Sequence, residues 1–114
     1  MSASPSGAGR GAGDDAAILR ELEAVLKDRL ATRPEGSYAV TLLDSTEKVQ
    51  RKIVEEAFEL CLELGRSGRE DFAPERVAAE AADLVFHVLA GLVGTGVPVA
   101  AVLDELARRR VGSR

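Results

Sequence analysis

The stretch AAEAADLVFHVLAGLV, residues 78–93, decides the fold. Its apolar side chains leave no wide polar face on a helix, and a helix that is apolar almost all round is a buried one. Pro74 suits a first helical position, and Gly94 and Gly96 suit an end, so the spacing predicts a helix over 75–93. Glu80, Asp83 and His87 interrupt the run at i, i+3 and i+7, which puts all three on one stripe. An isolated buried carboxylate is very costly, so that stripe requires hydrogen bonds, a cation or a metal.

The preceding helix carries a matching stripe. Asp44, Ser45 and Thr46 offer caps, and Val49, Ile53, Ala57, Leu60, Cys61 and Leu64 recur at helical spacing until Gly65, predicting a helix over 46–64. Lys52, Glu56, Glu59 and Glu63 form a polar stripe beside that apolar face, with Glu55 at its flank. A short connection makes the two helices antiparallel neighbours, so Glu56-x-x-Glu59 can face Glu80-x-x-Asp83. Four crowded carboxylates raise one another's pKa unless a cation neutralises them. An oxygen-only donor set suits Mg²⁺ or Mn²⁺ rather than zinc, and the usual partner of such an ion is a phosphate chain.

Outside this pair the chain is simpler. Residues 1–13, with four glycines, three serines and a proline, read as a disordered tail, leaving 14–114 as one domain. Asp14 and Asp15 are an N-cap signal for a helix over 15–32, stopped at Pro34. Tyr38, Val40, Leu42 and Leu43 alternate weakly; a strand is conceivable there, but no second strand-like run could pair with it. Pro98 opens a last helix over 98–110, whose terminal arginines Arg108, Arg109 and Arg110 complement the helix dipole. The fold class is therefore all-α.

Composition narrows the function. Of 52 apolar residues in 114, 18 are alanine and aromatics are only 4%, so the core is thin and homo-oligomerisation is expected to complete it. A net charge of −4, no tryptophan and one tyrosine argue against a nucleic-acid partner. One cysteine allows no internal disulfide, and Cys61, on the apolar stripe, reads as core packing. With no leader and no uninterrupted 18-residue apolar run, no membrane partner is expected and the protein reads as cytoplasmic.

ExxE on one helix followed by ExxD on the next resembles the all-α, MazG-like nucleotide pyrophosphohydrolases. Within that superfamily PEGSY at 34–38, Leu42-Leu43, KIVEEAFE at 52–59, EAADLVFH at 80–87, Gly96 and DELARR at 104–109 are similar to phosphoribosyl-ATP pyrophosphatases of histidine biosynthesis, over about residues 18–110. The resemblance implies a four-to-five-helix bundle, and the thin core with apolar stripes left on the first and last helices predicts a homodimer or higher homo-oligomer. The resemblance also implies hydrolysis of a nucleotide, phosphoribosyl-ATP, to phosphoribosyl-AMP and pyrophosphate. By position it implies Mg²⁺, or Mn²⁺, on Glu56, Glu59, Glu80 and Asp83; Glu55, Glu56 and Glu59 as catalytic carboxylates; and substrate contacts from Lys52, Ser37 and Tyr38. Ala39 stands where the family usually has threonine, and Val54 where it usually has glycine; neither touches the carboxylates.

Plainer roles compete for several of these residues. His87 reads as a supporting histidine, bonded to Asp83 or a facing helix, more than as a ligand. Lys52 could merely pair with Glu55 or Glu56. Lys48 and Arg51 read as a solvated face from which one could reach a ribose phosphate, and Arg66 and Arg69 as loop cations. Two other functions fit the same carboxylates: hydrolysis of a different nucleoside triphosphate, and a non-catalytic helical module that binds metal for structure. A ferritin-like di-iron site is excluded because the single histidine cannot supply its Glu-x-x-His pairs.

Overall fold

The computed structural model describes residues 12–111. Five helices follow one another: α1 (Ala12–Thr32), α2 (Tyr38–Leu43), α3 (Thr46–Leu64), α4 (Pro74–Thr95) and α5 (Val99–Val111). The expected tail lies outside the described residues, except that Ala12 and Gly13 already belong to α1. That helix therefore starts ahead of the Asp14-Asp15 pair expected to cap it.

The segment after PEGS is a helix of one and a half turns, not a strand. Ser37 sits in extended backbone and its hydroxyl accepts the Val40 amide, so α2 begins with a side-chain cap. Six residues are too few to display a helical period, which is why hydropathy spacing missed it. Ser45 caps α3 in the same way, accepting the Lys48 amide. Gly96 ends α4 in a left-handed conformation, φ 80°, where L side chains are disfavoured.

The α3–α4 pair forms the most extensive packing in the molecule, and its ends show that it is antiparallel. Late α3 meets early α4, where Arg76 Nε lies 3.2 Å from Glu63 Oε1. Early α3 meets late α4, where a Cβ on Gly91 would come 3.0 Å from Val49 Cγ1, so the absent side chain lets the helices close. Leu26, Leu42, Val49, Leu89, Ala90, Val93 and Val99 make the buried core, drawn from all five helices. The α1–α5 contact is pinned by the Val99 amide, which donates to Glu23 Oε2 at 2.9 Å.

Two expectations about burial fail within one chain. Helix α4 is not covered all round: Val85 and Val88 remain exposed, beside an apolar groove of about 230 Å³ that also takes in Leu84, Leu92, Val102 and Leu106. On α3 Val54, Phe58, Leu62 and Leu64 are exposed, and so is Cys61, which therefore does not pack into this chain's core. Periodicity marks a side chain as apolar; it does not reveal what covers it. By length and composition alone, α4 is also long and apolar enough to cross a membrane, despite its acidic interruptions. Here it is the helix against which α1, α2 and α3 pack.

Candidate active site

Antiparallel packing of α3 on α4 brings the two acidic stripes together. One carboxylate oxygen each from Glu56, Glu59 and Glu80 lies within 4.8 Å of the others. Glu56 is buried, Glu80 half-buried and Glu59 exposed, so the cluster runs from the interior to the surface. Glu56 Oε1 and Glu80 Oε1 are buried and have no hydrogen-bond partner. Unpartnered buried oxygens are rare in folded proteins and call for a ligand. With donors that are all carboxylate oxygens, the set fits a hard divalent cation, and Glu56, Glu59 and Glu80 could hold one.

Electrostatics at Glu80 agree with that fit. Burial pushes its carboxyl above the usual carboxylate range, and Glu59, through charge and a hydrogen bond that needs a shared proton, pushes it further. Asp83 and Glu56 add smaller repulsions of the same sign. Asp83 itself is exposed and stands outside the three-carboxylate group, one turn further along α4, but close enough to act on Glu80. Glu63, the last acid of the α3 stripe, is turned instead to Arg66 and Arg76.

Lys52 is the cation of the cluster. Its ammonium lies 3.3 Å from Glu55 Oε1 and 3.5 Å from Glu56 Oε2. Bonding to Glu55, seconded by electrostatic attraction toward Tyr38 and Glu55 and by bonding to Glu56, raises its pKa above the ordinary lysine value against the opposing effect of burial. Glu55 is exposed, on the flank where its spacing put it.

The PEGSY loop reaches the site through Tyr38, whose Oη lies 2.9 Å from His87 Nε2. His87 is buried, and its Nδ1 lies 2.7 Å from the Asp83 carbonyl oxygen. A carbonyl only accepts, so Nδ1 carries a hydrogen, and in the neutral ring Nε2 accepts from the tyrosine hydroxyl. His87 thus joins α2 to the acidic turn of α4. Ser37 uses one lone pair to cap α2, leaving its hydroxyl hydrogen available at the same loop. Lys48 reads in the sequence as part of a solvated face with reach to a ribose phosphate. Its Nζ lies 5.1 Å from the Tyr38 ring centroid and donates to Thr41 Oγ1 at 2.7 Å. Arg66 and Arg69 both pair with Asp71, away from the cluster.

Comparison with known proteins places this arrangement in a family. Residues 19–110 match the model of the phosphoribosyl-ATP pyrophosphohydrolase family. A phosphoribosyl-ATP pyrophosphatase from Methanopyrus kandleri is 37% identical over 102 residues, spanning 84% of this chain and 97% of the relative. One from Methanosphaerula palustris is 41% identical over 99 residues, spanning 84% and 95%. The histidine biosynthesis bifunctional protein HisIE of Bacillus subtilis is 35% identical over 99 residues, spanning 86% of this chain and 45% of that longer protein. The match covers the acidic pair of helices, the tyrosine loop and the final helix together, and the chain belongs to the phosphoribosyl-ATP pyrophosphohydrolase family.

Proposed function

We propose that this protein hydrolyses phosphoribosyl-ATP to phosphoribosyl-AMP and pyrophosphate, the second step of histidine biosynthesis, with magnesium as its metal. The observation that carries the reading is the meeting of Glu56, Glu59 and Glu80, two of them with an orphaned buried oxygen, in a chain of this family. Glu56, Glu59, Glu80 and Asp83 would hold Mg²⁺, with Mn²⁺ an acceptable substitute. When bound, such an ion supplies charge neutralisation for phosphate oxygens and acidifies a water molecule.

The chain's own residues do the rest. A carboxylate of Glu56 or Glu59 accepts the proton of the attacking water, with Glu55 at the flank to orient it. Lys52 holds Glu55 and Glu56 in place through its two ion pairs. Ser37 and Tyr38 present hydroxyl and ring to the substrate from the loop side, and His87 orients Tyr38.

The working form is a homodimer or higher homo-oligomer. Val54, Phe58, Leu62, Val85 and Val88 are more exposed than large apolar side chains of a self-sufficient domain should be, and a second copy is the simplest cover. A sedimenting monomer at micromolar protein would contradict this. Helix α4 packs against α1, α2 and α3, in keeping with a cytoplasmic enzyme.

The deciding experiment is pyrophosphate release from phosphoribosyl-ATP with Mg²⁺, with chelator, and with deoxynucleoside triphosphates in its place. Chelator-sensitive turnover of phosphoribosyl-ATP well above the other nucleotides supports the reading. Preference for a deoxynucleoside triphosphate would move the protein to a different substrate, and no turnover of any nucleotide would leave a structural metal module.

A further inference from the structure

Two lysines lie on the face of α3 that leads to the carboxylate cluster, and their surroundings differ in kind. Lys52 is paired with Glu55 and Glu56, so an incoming anion would have to displace a carboxylate to reach it. Lys48, one turn nearer the start of α3, is held by the Thr41 hydroxyl at 2.7 Å and the face of Tyr38 at 5.1 Å. Both partners are neutral, so they fix the ammonium without cancelling its charge. Thr41 is itself fixed, donating to the Tyr38 carbonyl at 2.7 Å, and Tyr38 is fixed by His87 at 2.9 Å. A lysine stem that would otherwise sample many rotamers is thereby ordered before any ligand arrives, which lowers the entropic cost of gripping one.

We infer that Lys48 is a substrate-binding residue that grips a phosphate group remote from the carboxylate cluster, with Tyr38 as its platform. The inference rests on the hydrolase reading for the identity of the ligand, and on the contrast between the two lysines for the assignment. Lys48, Lys52 and Glu56 follow at four-residue intervals, each about 6 Å further along the helix axis. A phosphorylated chain engaged at the cluster and running toward the N-terminus of α3 passes Lys52 and arrives at Lys48. Lys52 then conditions the carboxylates, and Lys48 contacts the substrate. Two phosphates could fill the position, the far end of the polyphosphate or the phosphate on the ribose, and the chemistry recognised is the same.

The test compares K48M, K48R and Y38L with wild type in steady-state turnover of phosphoribosyl-ATP, and in calorimetric binding of inorganic tripolyphosphate with Mg²⁺ present. Circular dichroism confirms that each variant is folded. K48M should raise KM about 10-fold while lowering kcat by a much smaller factor, and K48R should recover most of the loss. Y38L, which removes the platform, should move KM the same way. Weaker tripolyphosphate binding in K48M places the far end of the polyphosphate at Lys48; unchanged tripolyphosphate binding with raised KM places the ribose phosphate there. An unchanged KM in K48M with active wild type overturns the role of Lys48 and leaves the enzyme reading intact. Absence of wild-type turnover overturns the enzyme reading, and tripolyphosphate binding that K48M does not weaken then overturns the anchor as well.

Discussion

Tyr38 Oη and His87 Nε2, 49 positions apart in the chain, lie 2.9 Å from each other and tie the first residue of α2 to the acidic turn of α4. The bond matters because His87 is only 6% exposed and its other nitrogen is already committed to the Asp83 carbonyl. Tyr38→Phe strands Nε2 without a partner in an environment that water scarcely reaches. Leaving one buried polar group unsatisfied costs about 1–3 kcal/mol. Urea unfolding should show that loss for Tyr38→Phe. A midpoint equal to wild type would mean that the hydroxyl contributes nothing to the link.

This link also marks the limit of what a linear reading conveys. Glu56, Glu59 and Glu80 were legible because helical spacing alone sets which side chains share a stripe, and a short connection sets which helices face each other. The same logic grouped Asp83 with them, and the structure holds it one turn aside. Short α2 escaped notice because its six residues show no period and its start depends on one serine hydroxyl. The exposure of Cys61, Phe58 and Val85 was illegible for another reason: an apolar stripe looks the same in sequence whether its own chain or a neighbour covers it. Lys48 and Lys52 likewise differ only through side chains brought in from α2 and from the next turn of α3.

The start of α5 offers a second nonlocal test. No serine, threonine, aspartate or asparagine precedes Val99 closely enough to cap it; the donor is served by Glu23, from α1, at 2.9 Å. Val99 is 2% exposed, so water cannot replace the carboxylate. Glu23→Ala should destabilise the protein by about 1–2 kcal/mol and speed amide exchange in the first turn of α5. Glu23→Gln, which keeps an acceptor, should recover most of that stability. Equal losses in the two variants would show that the acceptor is not what matters.

The catalytic assignment is tested by truncation on each helix. Glu59→Ala on α3 and Asp83→Ala on α4 should each lower Mg²⁺-dependent pyrophosphate release at least about 100-fold, with helicity near wild type. Both side chains are exposed, so neither truncation opens a cavity and the two effects can be separated from folding. Full activity in both variants would remove these residues from the site. A loss confined to Glu59→Ala would restrict the machinery to the three carboxylates that already converge.

Glu80 gives a prediction with a definite sign in pH. Its folded-state pKa is raised, first by burial and then by Glu59, Asp83 and Glu56, so without metal the folded chain holds this proton more tightly than the unfolded chain does. Between the unfolded pKa, about 4.3, and the higher folded value, the native state binds more protons. Stability therefore falls as pH rises through that window and stays lower above it. Glu80→Gln keeps the shape and removes the ionisation. In chelator it should melt above wild type at pH 7, and the difference should close as pH falls below 4.3, where both forms are neutral. Adding Mg²⁺ reverses the order: an ion that binds only the folded state raises the wild-type melting temperature with concentration, whereas Glu80→Gln, lacking one charged donor, should respond weakly. A glutamine variant no more stable than wild type in chelator, yet stabilised equally by Mg²⁺, would mean that Glu80 is neither crowded nor a ligand.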